Sequence, residues 1–516
     1  MGNTGEVEET ESLTSKINRK DIAYPLLVTI LAFFGATLRC LYLFQPMRYD
    51  ESFTSMAFAY RPLSVGLSFY PYPNNHLFHT MLVHFSTKLL GNSPAAIRLP
   101  AFLAGIALIP VGYLVLKELY DRDTGLLAVA LIAASPLLIA YSTNARGYSI
   151  QALAFLLLLF VGKKLKDGPK LSLWIWFSLL IVVGFYTVPT MLYFFVAAFV
   201  WLAISALVRD VKSSRLGFFV RLCAWSAVAL LVSALLYIPV VVKSGLASLT
   251  SNQFVKSLGF HGFVHGLPGA IKNWWLAWSA GITPVIGVVL AAAVLISLIF
   301  HYRISKDKVP LPAVTLGCCL VLIVIQRVLP DPRVFLPLLP LLLGFAAAGL
   351  IFTSRSIASR ARARTGRRLA ITEGQRIAMV LVLFICLAVI VVIVGMPYQH
   401  EDTGQAGRST FRQANEVALA MREILKPGDV VFLDWPAATP LEYYFTIYGI
   451  DHHYIYGNGF GKPQGGAEAT RAFLITDTED KHTLTEAFPS AAKFKLQLIY
   501  NSQGAKIYRI LGPKAT

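Results

Sequence analysis

The chain has 516 residues, of which 56% are hydrophobic and 14% charged, with a mean hydropathy of +0.60. A soluble domain carries roughly 25% charged residues, so the composition excludes an ordinary soluble enzyme and points to a bilayer. The net charge of +18 does not indicate a nucleic-acid partner, because the basic residues cluster in short loops between apolar runs, as membrane topology demands.

Residues 1–21 are polar and acidic and lack the pattern of a cleavable signal. They read as a cytoplasmic tail, and the first apolar run is expected to stay attached as an anchor. Eleven apolar runs are expected to span, at 22–44, 97–117, 124–141, 148–164, 171–187, 189–208, 219–243, 280–301, 310–329, 333–352 and 376–397. Each is near the length that crosses a hydrocarbon core of ~30 Å. With the N-terminus in the cytoplasm, the loops on that side hold 23 Lys and Arg, against 11 elsewhere in residues 1–397. That two-to-one bias is the signature of a cytoplasmic face. The expected fold is therefore an α-helical polytopic domain over 22–397, in the cell (cytoplasmic or inner) membrane, with a large outer loop at 45–96. Cys40, Cys223, Cys318, Cys319 and Cys386 all fall inside apolar runs, so neither a disulfide framework nor a zinc spacing is expected.

The outer loop opens with QPMRYDES, which sets Asp50 and Glu51 directly outside the bilayer. Adjacent carboxylates there either solvate a helix end or serve as general bases. The run PYPNNHLFHT follows, with Asn75, His76 and His79; these are either interfacial capping residues or substrate ligands. No close third ligand stands at a metal spacing. No metal site is expected, and a divalent cation is left as the single candidate cofactor. Residues 76–91 are amphipathic and are expected to lie on the outer leaflet rather than to span.

Arg98, in IRLPAF, opens the second span as a snorkelling anchor or an anion ligand. Arg146, in STNARGYS, lies at the outer face against the positive-inside bias, which calls for a fixed anionic partner. Arg333, in QRVLPDPRVFLPLLP, has Asp331 as a local partner. Outer-side arginines around a carboxylate pair suit a substrate phosphate at headgroup level and a polar reactant arriving from water.

Residues 398–516 have ordinary soluble composition and read as a small α/β domain, placed outside by the odd number of spans. Helices are expected at 410–426 and 438–448, and strands in PGDVVFLDW, HHYIYG, RAFLITD and KLQLIY. The segment GNGFGKPQGG (457–466) lacks the Gly-Lys-Ser/Thr ending of a phosphate loop and reads as a flexible loop. Removal of 400–516 is expected to leave a foldable membrane core.

Residues 35–165 resemble the polytopic glycosyltransferases related to protein O-mannosyltransferases and the lipid A aminoarabinose transferase, in the branch that includes rhizobial lipopolysaccharide sugar transferases. The resemblance rests on Tyr49-Asp50-Glu51 after the first span, on NNHLFHT, on LLGNSPAAIRLPAFLAG with Arg98, and on SPLLIAYSTNARGYS with Arg146 and Tyr148. DPRVFLPLLP and KPGDVVFLDW…EYYF extend it toward the C-terminus. It implies a class C glycosyltransferase fold, a polyprenyl-phosphate sugar donor, and a catalytic acidic residue that maps onto Asp50. The chain lacks the Lys-Pro-Pro of the aminoarabinose transferases and has Asn74-Asn75-His76 instead, so neither sugar nor acceptor carries over.

On this reading Asp50 takes the proton of the acceptor and Glu51 positions it or binds sugar hydroxyls. Arg98, Arg146 and Arg333 stabilise the departing phosphate, and Tyr148, His76 and Asn75 line the donor site. The expected partners are the donor, an acceptor (lipid, glycan or protein) and membrane lipids, in cell-envelope glycan, lipopolysaccharide or protein glycosylation with inversion. A lipid-linked sugar carrier or flippase, or a transporter, is the alternative; a transporter would show inverted repeats and mid-membrane charges.

Overall fold

The computed structural model describes residues 19–71, 73–250, 257–365, 373–390, 392–393, 411–433, 437–451, 454–456, 471–477 and 493–513. The segment 457–466 lies outside them. Each of the eleven expected spans coincides with an apolar helix or part of a bent helix pair. In chain order the numbered helices of this domain begin with α1 (Arg19–Leu43), α2 (Tyr49–Thr54), α3 (Leu77–Leu90), α4 (Pro94–Leu119), α5 (Arg122–Ala133) and α6 (Pro136–Ser142). They continue with α7 (Tyr148–Asp167), α8 (Leu171–Thr187), α9 (Met191–Leu207), α10 (Arg215–Leu236), α11 (Phe260–Ser279), α12 (Pro284–Ile299), α13 (Leu311–Gln326), α14 (Leu339–Thr365) and α15 (Glu373–Ile390). Many large apolar side chains face outward, among them Leu216, Leu231, Val285, Ile299 and Ile325. In water such a surface would be untenable; in a bilayer it is the lipid-facing side. The chain is a multi-pass membrane protein.

Helix α3 is 14 residues long, about 21 Å at the α-helical rise, too short to cross the core alone. It buries His79, Thr80, Val83, His84 and Thr87 on one face. Helix α11 was not expected from hydropathy, because Gly, His, Asn and Pro interrupt its apolar positions; it meets α12 at 108°.

The α5–α6 pair bends by 62°, and the cause is local. Ser135 accepts a hydrogen bond from the Leu138 amide and Pro136 takes the first helical position, so a new helix starts there. The break frees carbonyls at the end of α5, which cannot stay unpaired in hydrocarbon. Arg39, fully buried in α1, donates to the carbonyls of Ala133 and Ile132, to that of Gly35 and to Ser142 Oγ. The bend lets the chain turn through 143–147 and deliver Arg146 to the same end of the domain as Asp50.

The C-terminal region has helices α16 (Ala414–Ile424) and α17 (Ala438–Ile447) and strands β1 (Val430–Leu433), β2 (Ile455–Tyr456), β3 (Ala472–Asp477), β4 (Phe494–Ser502) and β5 (Ala505–Pro513). The sheet order is β2-β1-β3-β5-β4, with β1 parallel to β2 and β3, and β5 antiparallel to β3 and β4. Strand β5 was not among the expected runs; it pairs through a turn at Gly504, whose φ of +111° suits glycine.

The core of this region continues into the membrane domain. Phe411, Val417, Met421, Val431, Leu441 and Phe445 form one buried cluster with Met47, Met56, Ala59, Val83, Ile97 and Ala145 of the membrane domain. Removing 400–516 would uncover those six residues.

Candidate active site

Helix α2 begins at Tyr49, after Arg48 in an extended conformation, so Asp50 and Glu51 occupy its first turn, where negative charge is favoured. Consecutive helical residues point about 100° apart, and the two carboxylates diverge accordingly. Glu51 turns inward. Its Oε1 accepts from Arg98 Nε (2.7 Å) and the Ala145 amide (2.8 Å), and its Oε2 from Arg98 Nη2 (2.7 Å) and the Arg48 amide (3.1 Å). The remaining Arg98 donors go to the carbonyls of Leu43, Gln45 and Pro46. All five N–H groups of a guanidinium are therefore used, and both side chains are 0% exposed. Burial alone would raise the Glu51 pKa; the Arg98 guanidinium outweighs it and holds the carboxyl below its ordinary range.

Asp50 faces the other way and is 32% exposed. Its Oδ2 lies 3.1 Å from Arg333 Nη1 and 3.9 Å from Arg146 Nε. Arg333 sits in a 3₁₀ segment, Pro332–Leu338, whose start is capped by Asp331 accepting from the Arg333 amide. Asp331 Oδ1 also lies 3.5 Å from Arg333 Nε, so the local partner expected from sequence is present, and Asp50 is a second one.

Arg146 is nearly buried. Its Nη1 donates to the Asn74 carbonyl (2.8 Å) and to Asn74 Oδ1. Its Nη2 lies 3.2 Å from His76 Nε2. The Gly147 amide donates to His76 Nδ1 at 2.8 Å, which places the proton of a neutral ring on Nε2. Burial first, and then the Arg146 charge, hold the His76 pKa well below the ordinary imidazole value, so the ring is neutral. Two N–H donors thus face one another at 3.2 Å, an arrangement that an anionic oxygen would satisfy from both sides. Tyr148 packs edge-on against His76 and Tyr141, with the Arg146 guanidinium 5.9 Å from its ring centroid.

Asn75 is placed differently from its neighbour. Its Nδ2 donates to the carbonyls of Gly66 and Phe69, and its Oδ1 accepts from Thr80. It shapes the loop, while Asn74, absent from the expected site, holds Arg146. His79 is fully buried, and neither ring nitrogen has a hydrogen-bond partner among the described residues. Burial, reinforced by Arg146 and opposed by Glu51, lowers its pKa to about 3. Among the described residues no three His, Cys, Asp or Glu gather as metal ligands, so the divalent cation considered from the sequence gains no ligand set there.

Beside this cluster lies a cavity of about 680 Å³ lined by Leu137, Tyr141, Trp274, Trp278, Leu329 and Arg333, among others. Helix α11, the one missed from sequence, supplies the tryptophans, and Trp274 Nε1 is fixed by the Pro330 carbonyl. Arg333 belongs to both features: it lines the cavity and pairs with Asp50.

Residues 75–242 match the family model described as dolichyl-phosphate-mannose-protein mannosyltransferase. No curated protein matches the sequence. Among solved structures the chain is similar to ArnT from Cupriavidus metallidurans in the apo state, with TM-score 0.61 and 13% identity over 95% of this chain and 98% of that one. The same enzyme bound to undecaprenyl phosphate gives TM-score 0.58 and 14% identity over 93% and 97%. The archaeal oligosaccharyltransferase AglB from Archaeoglobus fulgidus, in complex with an inhibitory peptide and a dolichol-phosphate, gives 0.54 and 14% over 95% and 74%. The fold is that of class C glycosyltransferases, as the sequence resemblance implied.

Proposed function

We propose that the protein is a membrane glycosyltransferase that moves a sugar from a polyprenyl-phosphate donor to an acceptor at the outer face of a cell membrane. One observation carries this reading. Asp50, the exposed member of the carboxylate pair, is held by two arginines, and one of these also lines a cavity walled by Tyr141, Trp274 and Trp278. The cavity suits a prenyl chain, Arg333 and Arg146 suit its phosphate, and Asp50 suits the acceptor. The solved relatives in complex with undecaprenyl phosphate and dolichol-phosphate support the same donor class.

In the reaction the acceptor oxygen or nitrogen attacks the anomeric carbon as Asp50 takes its proton. The bond from that carbon to the phosphate oxygen breaks, and polyprenyl phosphate leaves. Attack opposite the leaving group inverts the configuration. Phosphate is a good leaving group, so a second carboxyl acting as general acid, the glycosidase arrangement, is not required. Charge growing on the phosphate is stabilised by Arg146 and Arg333, with the His76 Nε2–H beside Arg146. Glu51 and Arg98 present no atom to this chemistry; they hold α2 in place, a different part from the donor contact expected of Arg98. Asn75 likewise supports the loop.

The test is turnover of labelled polyprenyl-phosphate sugar by reconstituted protein. Asp50→Asn should keep donor binding and lower turnover by ~10²-fold or more. Normal turnover in well-folded Asp50→Asn protein would remove Asp50 as the base. Movement of the labelled lipid across the bilayer without transfer would make the protein a carrier. The orientation is tested by cysteines placed at the exposed positions Arg61 and Arg360: an impermeant thiol reagent should label the first in intact cells and not the second.

A further inference from the structure

The outer domain meets the membrane domain where the proposed chemistry is housed, through α17. Two consecutive tyrosines make its polar contacts. Tyr443 donates its hydroxyl to the Asn92 carbonyl at 2.7 Å, before α4. Tyr444 accepts from the backbone amide of Met47 at 3.2 Å. Met47 is fully buried and stands three residues before Asp50. Two residues further along α17, Thr446 Oγ1 lies 3.7 Å from Met56 Sδ. Met56 belongs to the π-helical segment Ser55–Ala59, which continues α2. The segment carrying Asp50 is therefore gripped on both sides by one helix of the other domain.

The same cluster contains Ala145, the residue before Arg146, whose amide donates to Glu51. The chain segments that supply Asp50 and Arg146 both run against the core shared with α17, and the Asp50–Arg146 separation of 3.9 Å is set there. A buried backbone N–H without a partner costs free energy comparable to a lost hydrogen bond. Losing the Tyr444 hydroxyl would therefore leave the Met47 amide to find another acceptor by moving the start of α2.

We infer that Tyr444 is a positioning residue of the transfer reaction, acting through the Met47 amide to hold α2 and with it Asp50. This rests on the glycosyltransferase reading above. The outer domain is then a working part of the catalytic loop rather than only an acceptor-side appendage.

The test compares Tyr444→Phe with Tyr443→Phe in the full-length reconstituted protein. Each keeps its ring and loses one hydroxyl from the same interface, but the Tyr444 hydroxyl bonds the Met47 amide that leads into α2, whereas the Tyr443 hydroxyl bonds the Asn92 carbonyl and stands beside Tyr60, beyond Asp50. Tyr444→Phe should lower kcat about 10-fold, since small misplacements of a reacting group are costly, with donor KM within twofold. Amide exchange over 47–53, followed by mass spectrometry, should quicken. Tyr443→Phe should leave kcat and that exchange near wild type. Unchanged exchange in Tyr444→Phe, or equal loss of kcat in both variants, overturns the inference, as does a fall in kcat that comes with raised KM and loss of folded protein. A wild type that binds donor but never transfers sugar overturns the reading beneath it instead, and the exchange measurement, needing no turnover, separates the two failures.

Discussion

Helix α7 carries Tyr148 at its first residue and Lys166 near its last, about 27 Å apart along the axis, and each end sits in a cluster of charges. At the Lys166 end the ion pairs are closed. Lys166 Nζ lies 2.7 Å from Asp210 Oδ2 and 2.9 Å from Asp307 Oδ1, with the Trp201 ring centroid at 4.7 Å, and Lys163 reaches Asp307 Oδ1 at 2.8 Å. His301 Nε2 meets the Asp307 carbonyl and the Lys308 amide donates to Asp210. At the Tyr148 end the contacts of Asp50 are longer, at 3.1 and 3.9 Å, and Asp50 and Arg333 stay partly open to solvent. One cluster uses its charges to tie the end of α7 to the loops at 208–214 and 300–310; the other keeps charge available to a reactant. The same contrast recurs one residue apart, where Glu51 is saturated by Arg98 and Asp50 is not.

The sharpest way to break this comparison is to neutralise the closed carboxylate. Glu51→Gln leaves Arg98 buried with a poorer partner, and breaking a buried pair costs about 3–5 kcal/mol. We expect much less folded protein and a clearly lower melting temperature, whereas Asp50→Asn should melt near wild type and fail only in turnover. A well-folded, inactive Glu51→Gln would show that Glu51 itself does chemistry.

The far end of α7 provides the second test. Lys166→Met deletes the centre of the closed network, leaving Asp210 without its buried cation and Asp307 with Lys163 alone, so stability should drop by about 3 kcal/mol. Turnover per folded molecule should stay within about twofold. A specific kcat loss in protein that melts normally would mean that this end, too, takes part in the reaction cycle.

Arg146 gives an intermediate effect. Arg146→Ala should weaken donor binding and slow transfer by about 10²-fold, because stabilisation of the departing phosphate is lost where its charge grows. Arg146→Lys should recover only part of this, since a point charge cannot hold Asn74 and a phosphate oxygen in the geometry of a planar fork. Measuring donor Kd and single-turnover rates on the same protein distinguishes the two losses. Full recovery by lysine would indicate a role for charge alone.

How much of this could be read from the chain divides along the same line. The spans were legible because hydropathy over some twenty residues is a local property. Arg146 stood out because it opposes the charge bias of its side of the membrane. The pairing of Glu51 with Arg98 was not legible, since 47 residues separate them and nothing local tells which of two adjacent carboxylates turns inward. Asn74 and Asn75 differ by one position, yet the loop turns one toward Arg146 and the other into its own backbone. Helix α11 was hidden because polar and helix-breaking residues dilute its hydropathy, although it walls the cavity. The shared core of α17 with Met47 and Ala145 is a tertiary fact, invisible to a reading that ends one domain where the apolar runs stop.

The smallest effect concerns pH and the neutral histidines of the cluster. His79 lies among Arg146, Glu51 and His76, and its pKa of about 3 means that the folded protein holds it neutral through the whole physiological range. An unfolded chain protonates the same ring with a pKa near 6.5. Between these values the unfolded state binds more protons, so stability rises with pH up to about 6.5 and is lost as pH falls below it. Each unit of acidification costs about 1.4 kcal/mol from this residue, and His76, shifted in the same direction, adds to the slope. Melting curves in detergent from pH 7.5 down to pH 5 should show a progressive loss, and His79→Phe should flatten part of it while leaving the His76 contribution. If His79→Phe melts with the full wild-type pH dependence, the ring titrates in the folded protein and the neutral centre of the site is lost, together with the contrast between its open charges and its silent histidines.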